Sequence, residues 1–189
     1  MDNERDTMYG FKKVSVLARG GHEAPEDGMC IMELVSFINR EPFSDRPKCV
    51  DRSISLYMQN VNDTVTSEER VKLLSVIDRM FHTGERTWDE WYTAREKFAE
   101  LWPWMGTILE TEQARKIYIR RDGWIVSGLG DKTLEVWGFI LDLSMSAESV
   151  DVKLAVLNRM LDIMDEVMGV EEILPQNREE IEKMLEGVQ

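Results

Sequence analysis

Between residues 147 and 168, six apolar side chains recur at alternating spacings of four and three: Val150, Leu154, Leu157, Leu161, Met164 and Met168. That period is the turn of an α-helix and sets all six on one side, so the rest of the chain must supply elements that cover the stripe. Gly169 stands where such a helix would stop. A chain obliged to bury a stripe of this length folds most simply by packing other helices on it.

The first half contains those helices. Cys30, Ile31, Leu34, Val35, Phe37 and Ile38 form one apolar arc over residues 28–39, with Asp27 as the expected N-cap. Ile54, Tyr57, Met58 and Val61 mark the buried face of a second helix over residues 51–62, ending near "NVND". Thr66 and Glu69 form a T-x-x-E capping box ahead of Leu73, Leu74, Val76, Ile77, Met80 and Phe81, and Gly84 follows. A second box, Thr87 with Glu90, opens a helix whose Trp88, Trp91, Tyr92, Phe98, Ala99 and Trp102 share an arc, read here as core, and Pro103 ends it.

Three stretches are less regular. Residues 9–17, "YGFKKVSVL", alternate like a short strand, and "KIYIRRDGWIVS" alternates around Asp122-Gly123 like a β-hairpin near residues 116–128. "TLEVWGFILDL" is apolar on too many sides for its period to separate strand from buried helix, and "REEIEKMLEG" reads as a last helix. The expected fold is mainly α: a compact multi-helix domain over residues 1–189, its helical part reaching to about residue 105 and an acidic part running from about residue 122.

Charge and cysteine usage narrow the function classes. Lys and Arg number 23 against 36 Asp and Glu, a net −13. Residues 1–121 carry 18 basic and 21 acidic groups, and residues 122–189 carry 5 and 15, so the acidity is concentrated in the last third. Such a surface repels nucleic acid phosphates and membrane headgroups and favours a basic protein partner. The acids expected to face it are Glu148, Asp151, Asp162, Asp165 and Glu166 of the long helix. The charged start "MDNERDTMYG" and the lack of any apolar run of about 20 residues point to a cytoplasmic protein, in which Cys30 and Cys49 stay free thiols.

The segment from Gly20 to Ser53 packs His22, both cysteines and seven carboxylates around one helix. Zinc would need His22, Cys30, Cys49 and His82, whose intervening gaps of 7, 18 and 32 residues do not suit a structural site, so no metal and no cofactor is expected. Cys30 near a helix N-terminus with His22 as base is the pattern of an activated thiol; the competing reading is a cysteine packed with Leu34 and Phe37. Glu33 and Asp45 could converge with Asp51 on an ion or a proton, or Glu33 could face water beside Ser36, Asn39 and Arg40. In a purely structural reading, Asp45 and Asp51 cap helices or pair with Arg46 and Arg52, and Asn62 and Asp63 close a turn. Asp45→Ala and Asn62→Ala would then each cost about 1 to 3 kcal/mol through partners left unsatisfied. No Walker loop, G-x-G-x-x-G, G-x-S-x-G, H-E-x-x-H or C-x-x-C occurs in the sequence.

Residues 17–75 resemble a family of uncharacterised bacterial and phage proteins. The likeness rests on His22, Cys30, Glu33, Glu41, Pro42, Ser44, Asp45, Pro47, Cys49, Asn62, Asp63 and Arg70, with Arg40 standing where that pattern has glycine. It implies that Cys30, Glu33, Asp45 and Asn62 act together and names no reaction. The expectation is therefore a binding or regulatory protein, in one form a phage-encoded acidic inhibitor of a host nucleic-acid-binding protein. The alternative is an enzyme or metal site on His22, Cys30, Glu33, Asp45 and Asn62.

Overall fold

The computed structural model describes residues 17–81, 83–84, 87–112, 115, 138, 140–146 and 148–169. It is mainly helical. The helices are α1 (Ile31–Ile38), α2 (Arg52–Thr64), α3 (Ser67–Arg70), α4 (Ile77–Met80), α5 (Trp88–Glu100), α6 (Trp102–Ile108) and α7 (Val150–Met168), with 3-10 turns at Pro25–Asp27 and Val71–Val76. Among the described residues there is no strand, only an isolated parallel bridge between Leu17 and Met29. The proposed hairpin, the last helix and His82 lie outside the described residues. Of the ambiguous apolar stretch, residues 140–144 are helical, with Ile140 and Leu143 buried.

The long helix is the spine. Ser149 caps its N-terminus by accepting from the Val152 amide, and Gly169 leaves it with φ +76°, a conformation glycine adopts without Cβ strain. Val150, Leu157, Leu161 and Met164 are buried, and α2 and α5 pack on this face. α2 contributes Ile54, Tyr57, Met58 and Val61, all buried. Its Tyr57 hydroxyl donates to the Lys153 carbonyl at 2.9 Å, while the buried Lys153 ammonium donates to Thr64 Oγ1 at 2.9 Å. One hydrophobic cluster thus runs from Leu17 through α1 and α2 to Met164.

Several local expectations change. α1 begins after Cys30 rather than Asp27, because the chain first makes a 3-10 turn, passes Gly28 at φ +113° and runs extended at Met29 to bridge Leu17. The segment behind the Thr66–Glu69 box is not one helix: it tightens to 3-10 over Val71–Val76, where the Ser75 hydroxyl donates back to the Lys72 carbonyl. The Thr87–Glu90 box forms as the spacing requires, yet it leaves Trp88 and Tyr92 72% and 53% exposed, outside the core to which the stripe assigned them. Pro103 does not end the helical run; it occupies the first turn of α6, where its missing N–H costs nothing.

Gly84 is a close approach and not a helix cap. A Cβ there would lie 2.1 Å from the Lys48 carbonyl oxygen, and its amide donates to the Cys49 carbonyl at 2.9 Å. The turn before α5 is thereby pressed against the backbone of residues 48–50.

Candidate functional site

Glu33 is 1% exposed and is the hub of the His/Cys stretch. Cys30 caps α1, its sulfur accepting from the Glu33 amide at 3.4 Å, and the Glu33 carboxylate folds back on the Cys30 amide at 2.7 Å to close a capping box. The same carboxylate accepts the His22 amide at 2.6 Å and the His22 ring through Nδ1 at 2.8 Å. A carboxylate only accepts, so Nδ1 carries the proton in this contact. Glu33 is therefore not on a solvated face: the helical wheel places it with Ser36, Asn39 and Arg40 at the border of the stripe, but the loop of residues 17–30 folds over it.

That loop is closed by a second network. The Ala18 amide donates to the Met29 carbonyl at 2.8 Å. Asn62, fully buried, accepts the Ile31 amide and donates to the Ala18 carbonyl, while Asp63 Oδ1 accepts from the Gly20 amide and Asn62 Nδ2. Asn62 and Asp63 thus lie in the last turn of α2 and do not form a separate turn. Arg70 is buried beneath them: Nε donates to the Asn62 carbonyl at 2.8 Å, Nη2 to Val65 at 3.1 Å, and Nη1 to Leu17 at 3.3 Å and Ser67 Oγ at 3.4 Å. These carbonyls belong mostly to the C-terminal end of α2, where the aligned peptide dipoles leave negative charge that a cation satisfies.

The following loop has its own anchor. Glu41 accepts the Lys48 and Cys49 amides and the Asn39 side chain. Burial pushes its carboxyl up, but the donors from Lys48, Asn39 and Cys49 outweigh this and hold it below the usual range. Arg40 precedes it at φ +57°, the left-handed region that glycine adopts most readily. Asp51 caps α2 by accepting from the Ser53 and Ile54 amides, and its own amide donates to Thr83.

Of the five candidate groups, the fold brings His22, Cys30, Glu33 and Asn62 together and leaves Asp45 out. The Asp45 side chain is 43% exposed beside Arg46 at 3.9 Å, and it is the Asp45 carbonyl that accepts from Gln59 and Ser55. Neither convergence of Asp45 with Glu33 nor a helix cap at Asp45 is found. Cys30 is buried with its thiol pushed up to about 12, first by burial and further by the Glu33 charge, and no hydrogen bond joins it to His22. The helix start that would activate a thiol is overridden here, first by burial and then by the Glu33 carboxylate beside it. Among the described residues, no three His, Cys, Asp or Glu side chains meet as metal ligands.

The acids of the last third are likewise placed differently from one another. Glu148 precedes α7 and is buried, accepting from the Glu110 amide and from the Thr111 amide and hydroxyl, so it belongs to the interior. Its burial raises the carboxyl, yet the Thr111 and Glu110 donors bring it below the ordinary range. Asp162 and Asp165 share Arg79 at 2.9 and 2.7 Å, Glu166 holds Lys97 at 2.6 Å, and Asp151 holds Lys72 at 2.8 Å. These four remain at the surface, paired within the chain.

Sequence reasoning passed over Arg70 as a side chain with a job. The available signal was its place three, four and seven residues before Leu73, Leu74 and Ile77, on the apolar arc where a solvated arginine has no reason to be.

Comparison with known protein families, curated proteins and solved structures gave no match. No helix among the described residues is long and apolar enough to cross a membrane.

Proposed function

We propose that this chain works by binding rather than by catalysis. The observation that carries the reading is the placement of Glu33: its carboxylate is buried and accepts three donors from His22 and Cys30, beside a thiol held protonated by burial. A general base must reach substrate, and a nucleophilic cysteine needs a thiolate; here the carboxylate is buried against its own loop and the thiol is protonated. It clasps the loop of residues 17–30 to α1 and α2.

The surface we propose for a basic protein partner is the outer edge of α7, with Asp151, Asp162, Asp165 and Glu166. A phage-encoded inhibitor of a host nucleic-acid-binding protein is one form of this reading. Each carboxylate already holds a lysine or arginine of its own chain, so a partner's cations would share or displace Lys72, Arg79 and Lys97. Exposed pairs of this kind are worth about 0 to 1 kcal/mol each, a small barrier to exchange.

The test is affinity capture from a bacterial lysate with the wild-type chain and with Asp162→Asn/Asp165→Asn/Glu166→Gln. A basic protein should be retained by the wild type at about 0.05 M salt, and lost both above about 0.3 M salt and in the variant, because the screening length falls below about 8 Å. Retention independent of salt and of the three acids would contradict the electrostatic reading. Circular dichroism should be unchanged in the variant.

A further inference from the structure

Along the first two turns of α2, ahead of the clasp at its C-terminal end, the chain forms an open cleft of about 680 Å³ between the loop after α1 and the start of α5. Its lining includes Arg46, Lys48 and Arg52, with Leu56 from α2 and Trp88 from α5. Among the described residues the one acid in the lining is Asp51, which is buried as the α2 cap and so contributes no exposed negative charge. The walls are fixed by features already described. Glu41 holds the Lys48 and Cys49 amides, Gly84 presses on the Lys48 carbonyl, and the Thr87–Glu90 box sets Trp88 as the first residue of α5.

The charge pattern is unusual for this molecule. Elsewhere on the surface Lys72, Arg79 and Lys97 each hold a carboxylate of α7 at 2.6 to 2.9 Å. In the cleft, Arg46 is 80% exposed with only a 3.9 Å contact to Asp45, and neither Lys48 nor Arg52 has a carboxylate within ion-pair distance among the described residues. Among the described residues these three cations line one concavity, and the one carboxylate paired with any of them is Asp45, 3.9 Å from Arg46. Beside them the Trp88 indole, 72% exposed, and Leu56, 41% exposed, provide an apolar surface.

We propose that this cleft binds a small anionic ligand carrying a flat ring, of the nucleoside phosphate class. Arginine forks and a lysine point charge suit phosphate oxygens, and an exposed indole suits stacking by a base. The volume lies in the range of small-molecule sites, roughly 300 to 1,000 Å³. The strongly acidic molecule as a whole disfavours a long polyanion, whereas a ligand of two or three charges senses mainly the local cations. This site is separate from both the clasp and the acidic edge of α7, and it does not depend on the reading proposed for either.

Isothermal titration of the full chain with ADP, adenosine, inorganic phosphate and a ten-residue oligothymidylate tests the assignment. ADP should bind, with adenosine and phosphate each at least about tenfold weaker, since each retains only half of the contacts. Lys48→Gln/Arg52→Gln should weaken ADP by about tenfold or more, and Trp88→Ala by a comparable factor, with unfolding temperatures unchanged because all three side chains are exposed. Lack of ADP binding at millimolar concentration, or affinity unaffected by both variants, would overturn the proposal. Tighter binding of the oligonucleotide through the same residues would overturn the small-ligand assignment in favour of single-stranded nucleic acid.

Discussion

Glu33→Ala is expected to destabilise the fold by about 3 to 5 kcal/mol, a large part of the 5 to 15 kcal/mol typical of a domain. The substitution removes the acceptor for the His22 amide, the His22 ring and the Cys30 amide at once. Each buried donor left without a partner costs about 1 to 3 kcal/mol, and the loop of residues 17–30 can recover some of that only by opening to water. Glu33→Gln keeps one carbonyl oxygen but sets an amide nitrogen against one of the donors, so it should fall between the two. Asp45→Ala, in contrast, should change stability by no more than about 0.5 kcal/mol, since that side chain is half exposed and its carbonyl makes the contacts. Urea unfolding of the three variants checks all of this. Equal losses at Glu33 and Asp45 would contradict the placement of the clasp.

Arg70→Met should cost a similar amount, about 3 to 5 kcal/mol, for a different reason. Here the guanidinium is a donor hub: it serves Asn62, Val65 and Leu17 carbonyls and the Ser67 hydroxyl from one buried position. Methionine fills the volume and leaves the end of α2 with carbonyls directed at nothing. Arg70→Lys is the informative companion. It keeps the charge and loses the planar fork, so it should recover less than half of the deficit. Full rescue by lysine in thermal unfolding would show that charge alone, and not the four-way geometry, matters at this position.

The helical architecture was legible because periodicity and capping are local. The arc of Ile54, Tyr57, Met58 and Val61 and both T-x-x-E boxes correspond to the buried face and caps observed, and the stripe from Val150 to Met168 is buried at Val150, Leu157, Leu161 and Met164, partly buried at Leu154 and Met168, and widened by Val156 and Met160. Exposure was harder to read. Trp88 and Tyr92 share the arc of Phe98, and nothing local says that the first turn of α5 projects beyond the residues it packs on. Glu33 failed in the opposite direction. Its burial depends on a loop whose closure is set by Asn62 and Asp63, some thirty residues away. Polar networks of this kind are specified by tertiary contacts, so composition and spacing identified His22, Cys30, Glu33 and Asn62 as candidates without distinguishing a clasp from a reactive centre. Charge sums had the same weakness. Glu148 counts as one more acid in a negative segment, but its position before the Ser149 cap turns it inward onto Thr111.

The central claim, that the His22, Cys30 and Glu33 cluster is structural, is tested most directly by alkylation of Cys30 in the native protein as a function of pH. Burial raises the thiol from 9.0 to about 12, so the folded chain favours the protonated form. The associated stability is fully present below pH 9 and is lost as pH rises from 9 towards 12. Iodoacetamide labelling, located by peptide mass spectrometry, should therefore be negligible at Cys30 between pH 6 and pH 8, and should become rapid only in denaturant or at strongly alkaline pH. Rapid labelling of Cys30 at neutral pH in the folded protein, lost on replacing His22 by alanine, would contradict the account and identify a thiolate with a working base.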